Sequence, residues 1–293
     1  MEPLDEVDDA GPRRLGAVAW RIALALLPLG AGLIAATSLL SGAQDLSDPR
    51  TLTLRITAGI FLSTLTLGTL WVLVRIADRA RMPAAGVTGL RAGWRLAVWG
   101  ALLGSVPAAA AFGVLGLLGM PLEVTVTGPE LLRTVLLLLL AVLLTEALPE
   151  EAVFRGYVMH ALGGVTRGWG LIAVQALLFT AFAGLLRQSW DPLDLSLFLT
   201  MGIGFGWLRQ VTGSVWMSLG VHAAFQTGAQ LVLTHDAVMI AADAGTAMLA
   251  LGAVPFTVAA AVTAAFGVPG AVRAGAPAPR GRSSGRGRGP GPH

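Results

Sequence analysis

Long apolar stretches alternate with short polar connections along most of the chain. A helix of about 20 apolar residues is long enough to cross the hydrocarbon core of a bilayer. Several of the stretches are shorter than this, and the sixth is the shortest. We predict one membrane-spanning helix for each of the eight stretches: Val18–Leu40, Thr53–Val74, Leu96–Leu118, Leu131–Leu148, Leu171–Leu186, Leu195–Leu208, Val215–Leu233 and Ala247–Phe266. The predicted fold class is an all-α polytopic membrane protein of about eight transmembrane helices.

Composition supports the same fold class. Hydrophobic residues make up 55% of the 293 positions and charged residues only 13%, with a mean hydropathy of +0.73. A soluble globular domain carries about 25% charged residues, so this chain lacks the polar surface that a water-soluble enzyme needs. The absence of cysteine excludes disulfides and a thiolate metal site. The expected partner is the lipid bilayer, and a net charge of only +3 gives no reason to expect nucleic acid.

Arginine placement predicts the orientation in the membrane, because cytoplasmic loops are enriched in basic residues. With the N-terminus inside, the inner segments hold most of the loop arginines, and the outer loops hold only Arg50, Arg133 and Arg187. We therefore predict an acidic cytoplasmic N-terminus (1–16), a membrane domain (17–268) and a disordered cytoplasmic tail rich in Arg, Gly and Pro (269–293). The acidic start does not resemble a secretory signal peptide. We expect the protein in the plasma membrane of a bacterial cell.

The end of the fourth apolar stretch carries the strongest candidate for chemistry. Glu150 and Glu151 follow Pro149, and Arg155 comes four residues after Glu151, so that the last two face each other on a helix. Glu150 lies about 100° around the helix from Glu151, where it is free to act as a general base on water. Pro149 removes a backbone donor, which in an α-helix frees the carbonyl of Thr145 and favours a kink. The alternative interpretation is a solvated helix end with ordinary surface charges.

The seventh apolar stretch supplies a second polar pair. His222 and Gln226 are four residues apart and therefore share a helix face. Both side chains can donate hydrogen bonds, so together they could stabilise a developing oxyanion. Taken alone, a His and a Gln in one buried helix are also typical of a packing contact.

The sixth stretch contains glycines at positions 202, 204 and 206. A nucleotide-binding loop is not favoured, because no predicted strand precedes them. Gly202 and Gly206 instead have the small-xxx-small spacing that lets two helices approach closely in lipid. We expect helix packing at these positions.

Together these elements resemble the CPBP family, which comprises the CAAX-type prenyl endopeptidases and bacteriocin-processing relatives, also called ABI proteins. The resemblance is carried by Glu150-Glu151-x-x-x-Arg155-Gly156, by the Gly-rich sixth stretch and by the helix with His222. It covers about Glu130 to Leu231, and the eight-helix layout agrees with it.

The resemblance implies an intramembrane endopeptidase. In that reading Glu150 activates the hydrolytic water, Glu151 and Arg155 form a supporting pair, and His222 belongs to the oxyanion-stabilising group. Sites of this family have been described both as metal-dependent and as metal-free. A divalent metal such as zinc, held by Glu150 and His222, is therefore left open.

Two positions depart from the family pattern. The second motif of the family is Phe-x-x-x-His, and the matching stretch begins at Phe179 and has Ala183 at the histidine position. A methyl group can neither orient water nor bind a metal, and His160, His235 and His293 are not placed to substitute. The third motif usually ends in Asn, where this chain has Gln226, which keeps the amide.

Three functions follow as hypotheses. The first is an intramembrane endopeptidase acting on a peptide or protein at the membrane, with Glu150, Glu151, Arg155, His222 and Gln226 in its site. The second is a catalytically silent relative that binds a membrane partner or peptide, and Ala183 favours it. The third is a transporter that uses its intramembrane charges as a relay. No second half of the sequence mirrors the Glu150 cluster as transporter repeats would, which disfavours the third.

Overall fold

The computed structural model describes residues 10–39 and 45–273. The predicted acidic segment before residue 10, the end of the first predicted stretch at Leu40 and the predicted disorder of residues 274–293 lie outside the described residues. The first helix begins at Ala10, within the predicted N-terminal segment, and a helical turn at Gly270–Arg273 lies within the predicted tail.

Eight long helices account for most of the described residues, one for each predicted apolar stretch. They are α1 (Ala10–Leu39), α2 (Pro49–Ala77), α3 (Leu90–Leu117), α4 (Gly128–Leu162), α5 (Gly168–Arg187), α6 (Pro192–Thr212), α7 (Trp216–Leu233) and α8 (Ala244–Phe266). A 3₁₀ turn at Met82–Ala85 precedes α3, and two short strands, β1 (Leu122–Val124) and β2 (Val238–Ile240), pair antiparallel. The all-α class is confirmed.

Six of the eight helices are long and apolar enough to cross a membrane by length and composition, namely α1 to α5 and α8. Helices α6 and α7 fall outside this set, and α7 carries His222 and Gln226 in its middle. Contacts at both ends of α7 nevertheless show that it runs the length of the bundle. At its start Trp216 Nε1 donates to the carbonyl of Thr88 at 3.0 Å, and just beyond its end the Asp236 amide donates to Ser47 Oγ at 3.2 Å.

The connections between helices gather at two ends of the bundle. At one end the amide of Val215, before α7, donates to the carbonyl of Gly86, before α3, at 3.1 Å. At the same end Arg21 of α1 pairs with Asp78, after α2, at 2.8 Å. At the other end β1 and β2 join the α3–α4 and α7–α8 connections. This alternation matches the predicted up-and-down topology.

Helix α7 packs closely on α3, and glycines make this approach possible. A Cβ atom on Gly100 of α3 would overlap the carbonyl of Met217, and one on Gly220 of α7 would overlap the carbonyl of Ala97. Small residues are the usual means of close helix packing in lipid. Because His222 follows Gly220 by half a turn, this contact fixes the position of the histidine inside the bundle.

Helices α5 and α6 pack in the same way, as the spacing of the glycines in α6 predicts. A Cβ atom on Gly202 would lie 2.8 Å from the Cα of Ala176 in α5, and one on Gly206 would lie 2.7 Å from Gln175 Oε1. The packing prediction for these glycines is confirmed. It brings Phe179 of α5 and Phe205 of α6 against the polar end of α4.

Candidate active site

The polar part of α4 is not a regular α-helix. π-helical turns occupy Leu143–Ala147 and Glu151–Val158, with a single α-turn between them at Leu148–Glu150. Single π-helical turns inside α-helices are rare, and those that occur are often found at functional sites. Both candidate carboxylates, Glu150 and Glu151, therefore lie where the backbone changes its hydrogen-bond register.

The first π-turn also leaves the carbonyl of Leu144 without a donor from Leu148 or Pro149. Each amide in a π-turn bonds five residues back, as the Leu148 amide does to Leu143. Because the Leu148 amide bonds to Leu143 and Pro149 has no N–H, neither residue donates to the carbonyl of Leu144. Ser63 Oγ of α2 donates to this carbonyl instead, at 2.6 Å.

Helix α2 lies directly against this first π-turn. A Cβ atom on Gly59 would be 2.7 Å from the Cβ of Leu144 and 2.9 Å from Cγ2 of Thr145. The close approach lets the short side chain of Ser63 reach the α4 backbone. α2 therefore supports the segment of α4 that leads into Glu150.

Glu151 and Arg155 form a buried ion pair, as their spacing predicts. Their side chains have no exposed surface, and Arg155 Nη1 lies 3.1 Å from Glu151 Oε1. Arg155 Nη2 donates to the carbonyl of Met201 at 3.2 Å, and its Cζ lies 4.3 Å from the centre of the Phe179 ring and 5.1 Å from that of Phe205. A guanidinium held by a carboxylate, a carbonyl and two aromatic faces is fixed in place.

His222 joins α7 to both carboxylates. Its Nδ1 lies 3.2 Å from Glu151 Oε1, and its Nε2 lies 4.0 Å from Glu150 Oε2. The imidazole is 1% exposed and stacks on Phe205 with ring centres 5.3 Å apart. The sequence places positions 150 and 222 in one site, and the structure brings them together, although the hydrogen bond of His222 is to Glu151.

Glu150 differs from Glu151 in its surroundings. Its side chain keeps 17% exposure, whereas that of Glu151 has none. The ion pair of Arg155 is with Glu151, so the carboxylate of Glu150 is left for other chemistry. This is the division between a supporting and a free carboxylate that the spacing of the two residues predicts.

Each of the two remaining motif positions lies one helix turn from a residue of this site. Gln226 is half-buried one turn after His222 on α7. Ala183 is buried at 6% exposure on α5, one turn after Phe179. The structure therefore brings together Glu150, Glu151, Arg155 and His222, with Gln226 on the adjoining turn.

A second polar group next to the site was missed by sequence reasoning. Arg55 of α2 pairs with Glu146 of α4 at 3.0 Å and donates to Gln230 Oε1 of α7 at 3.0 Å. Gln230 Nε2 donates in turn to Glu146 Oε1 at 2.9 Å. The three side chains, one from each of three helices, thus form a closed ring of hydrogen bonds. Helical spacing could have indicated this second group, because Glu146 precedes Glu150 by one turn and Gln230 follows His222 by two turns.

The side chains at the site do not fit a metal ion. Within the described part of the chain, no group of three or more His, Asp or Glu side chains is placed to hold one. Catalytic zinc sites use three protein ligands, and Glu150 and His222 supply two.

Comparison with known proteins finds a family whose model matches part of the chain. Residues 132–228 match the model of a family described as Type II CAAX prenyl endopeptidase Rce1-like. The matched segment contains the carboxylates and arginine of α4 and the histidine of α7. No curated protein and no solved structure matches the chain.

Proposed function

Through residues 132–228 the chain belongs to the CPBP family of CAAX-type proteases, and from this membership we propose that it is an intramembrane endopeptidase whose Glu150 activates water. The family is one of membrane-embedded hydrolases, and the six long apolar helices agree with an integral membrane protein. The proposed substrate is a peptide or protein presented at the membrane, and the proposed location is the plasma membrane of a bacterial cell.

One observation carries the proposal. Among the described residues no arginine forms an ion pair with the carboxylate of Glu150, which lies 4.0 Å from the imidazole of His222 inside a helix bundle. A carboxylate that is shielded from bulk water and lacks a cationic partner is suited to general-base work. The buried pair of Glu151 and Arg155 holds the helix turn that presents it.

The proposed reaction is hydrolysis of a peptide bond. Glu150 takes a proton from water while the water oxygen bonds to the carbonyl carbon, and the carbonyl electron pair moves to oxygen. The proton then passes from Glu150 to the leaving nitrogen as the carbon–nitrogen bond breaks. The products are a carboxylic acid and an amine, and Glu150 returns to its starting state.

The test compares Glu150→Gln with wild type. Membranes containing each protein are incubated with fluorogenic CAAX-ending peptides, both farnesylated and unmodified, and cleavage sites are identified by mass spectrometry. General-base catalysis contributes about 10²–10⁴-fold, so Glu150→Gln should lower kcat/KM by that order. The matched control is Glu130→Gln, a carboxamide substitution in the first turn of the same helix, which should leave cleavage unchanged. Cleavage that survives Glu150→Gln at the wild-type rate contradicts the proposal.

Ala183 favours a second candidate, a catalytically silent family member that binds a peptide or membrane partner. The same assay separates the two. A wild-type protein that captures the peptides in a pull-down but gives no product over the Glu150→Gln background supports the silent function. Turnover by purified wild type contradicts it.

A further inference from the structure

We propose that His222 holds the attacking water in this chain, accepting one of its hydrogens at Nε2 while Glu150 accepts the other. The inference rests on the proposed endopeptidase function and deepens it. It gives His222 a different role from the oxyanion-stabilising one that the family resemblance implies. Three features of the described residues support it.

The first feature is the ion pair that places a hydrogen on Nδ1 of the imidazole. A carboxylate paired with arginine is ionised and can only accept hydrogen bonds. Glu151 Oε1 contacts both Arg155 Nη1 and His222 Nδ1, at 3.1 and 3.2 Å. His222 must therefore donate from Nδ1. In a neutral imidazole the other nitrogen then carries the lone pair, so Nε2 is an acceptor.

The second feature is the position of that acceptor. Nε2 of His222 is buried and, among the described residues, has no hydrogen-bond partner. It lies 4.0 Å from Glu150 Oε2, too far for a direct hydrogen bond. One water that makes hydrogen bonds of about 2.8 Å to both atoms spans such a separation. Its two hydrogens then face Glu150 and His222, and its lone pairs face the substrate.

The third feature is the alanine at the second motif. Helices α4 and α5 are joined by a short connection and are antiparallel, and Arg155 of α4 lies against Phe179 of α5. One turn back along α4 leads to Glu151, and one turn forward along α5 leads to Ala183. Position 183 therefore lies at the level of the carboxylates, where a histidine could reach the same water. Its methyl group leaves that task to His222.

The two roles of His222 require different forms of the ring. Holding the water needs a bare Nε2, whereas stabilising an oxyanion needs a hydrogen on it. In the proposed arrangement, donation to the oxyanion falls to the amide of Gln226, one turn further along α7. The reaction is otherwise the proposed hydrolysis, because the proton that leaves water still passes through Glu150 to the leaving nitrogen.

A direct test determines which ring nitrogen of His222 carries hydrogen, and it needs no substrate. Protein labelled with ¹⁵N-histidine is purified in detergent without a histidine tag, and the His222 signals are assigned by their loss in His222→Gln. We expect a ring with hydrogen on Nδ1 and a bare Nε2. A ring with hydrogen on Nε2, alone or as imidazolium, overturns the proposal whether or not cleavage has been found.

A kinetic test moves the water ligand to the other helix. His222→Ala should lower kcat/KM by on the order of 10²-fold, and adding Ala183→His to it should recover most of that loss. A large gain from Ala183→His alone, with no rescue of His222→Ala, assigns His222 to the oxyanion and overturns the inference. If cleavage by the wild-type protein did not depend on Glu150, the proposed function itself would be overturned.

Discussion

The hydroxyl of Ser63 donates a hydrogen bond of 2.6 Å to the carbonyl of Leu144, across the interface of α2 and α4. In the π register of α4, neither Leu148 nor Pro149 donates to this carbonyl. A side chain of one helix thus completes the backbone hydrogen bonding of another. The contact lies one and a half turns before Glu150 and stabilises the irregular segment that presents the carboxylate.

We predict that Ser63→Ala destabilises the protein and lowers cleavage. The substitution leaves the buried carbonyl of Leu144 without a partner, which costs about 1–3 kcal/mol, and it frees the turn that positions Glu150. Chemical denaturation in detergent micelles and steady-state kinetics measure the two effects. The control is Thr57→Ala, because the hydroxyl of Thr57 bonds only to its own helix and is exposed. Equal stabilities of the Ser63 and Thr57 variants would contradict the role given to Ser63.

A second prediction concerns the buried ion pair. Arg155→Met should lower the free energy of unfolding by about 3–5 kcal/mol, because it leaves the carboxylate of Glu151 buried and uncompensated. The double variant Arg155→Met/Glu151→Leu should recover much of the stability, since both charges are then replaced by apolar groups. Cleavage should stay low in the double variant, because His222 has lost the carboxylate that orients it.

The exposed pair of Arg187 and Asp194 provides the control for this experiment. Its atoms lie 3.8 Å apart and both side chains are about half exposed, at 55% and 47%. Exposed pairs contribute about 0–1 kcal/mol, so Arg187→Met should change stability little. A loss as large as that of Arg155→Met would mean that burial does not explain the difference.

A third prediction concerns the ring of Arg55, Glu146 and Gln230. Arg55→Gln and Glu146→Gln should each be destabilising, and the double variant should be more stable than the sum of the two losses predicts. Groups in one hydrogen-bonded network typically couple by about 0.5–3 kcal/mol. Denaturation of the four proteins in the cycle gives the coupling directly. Additive losses would show that Arg55 and Glu146 act independently.

The sequence predicts the parts of the site that lie within one helix. Glu151 and Arg155 are four residues apart on α4, and an apolar stretch that ends in such a pair indicates their contact directly. Six of the eight helices follow from apolar length in the same way. Local spacing is sufficient wherever the two partners share an element.

Contacts between helices could not be predicted from local spacing. Ser63 and Leu144 are 81 positions apart, and Arg55 and Glu146 are 91 apart. The approach of α2 to α4 depends on Gly59, whose role shows only when the neighbouring helix is placed. The π register is a second example, because it leaves the carbonyl of Leu144 to Ser63 without any signal in the composition.

The last prediction tests whether the packing of α7 sets the position of His222. Gly220→Ala adds a Cβ atom that would overlap the backbone carbonyl of Ala97, so α7 must move away from α3. Overpacking of this kind costs about 1–3 kcal/mol, and the shift carries the imidazole away from Glu150. We expect a lower free energy of unfolding together with a lower kcat/KM.

The matched control for this variant is Gly113→Ala on α3, where nothing lies within 4 Å of the added atom. Alanine is favoured over glycine in a helix by about 1 kcal/mol, so Gly113→Ala should be neutral or stabilising and should cleave at the wild-type rate. If Gly220→Ala behaved like this control, the close contact of α3 and α7 would not position the histidine. If Gly220→Ala lost stability but kept its full cleavage rate, His222 would be held by its contacts with Glu151 and Phe205 alone. A joint loss of stability and cleavage in Gly220→Ala, absent from Gly113→Ala, ties the geometry of the site to the glycine contact.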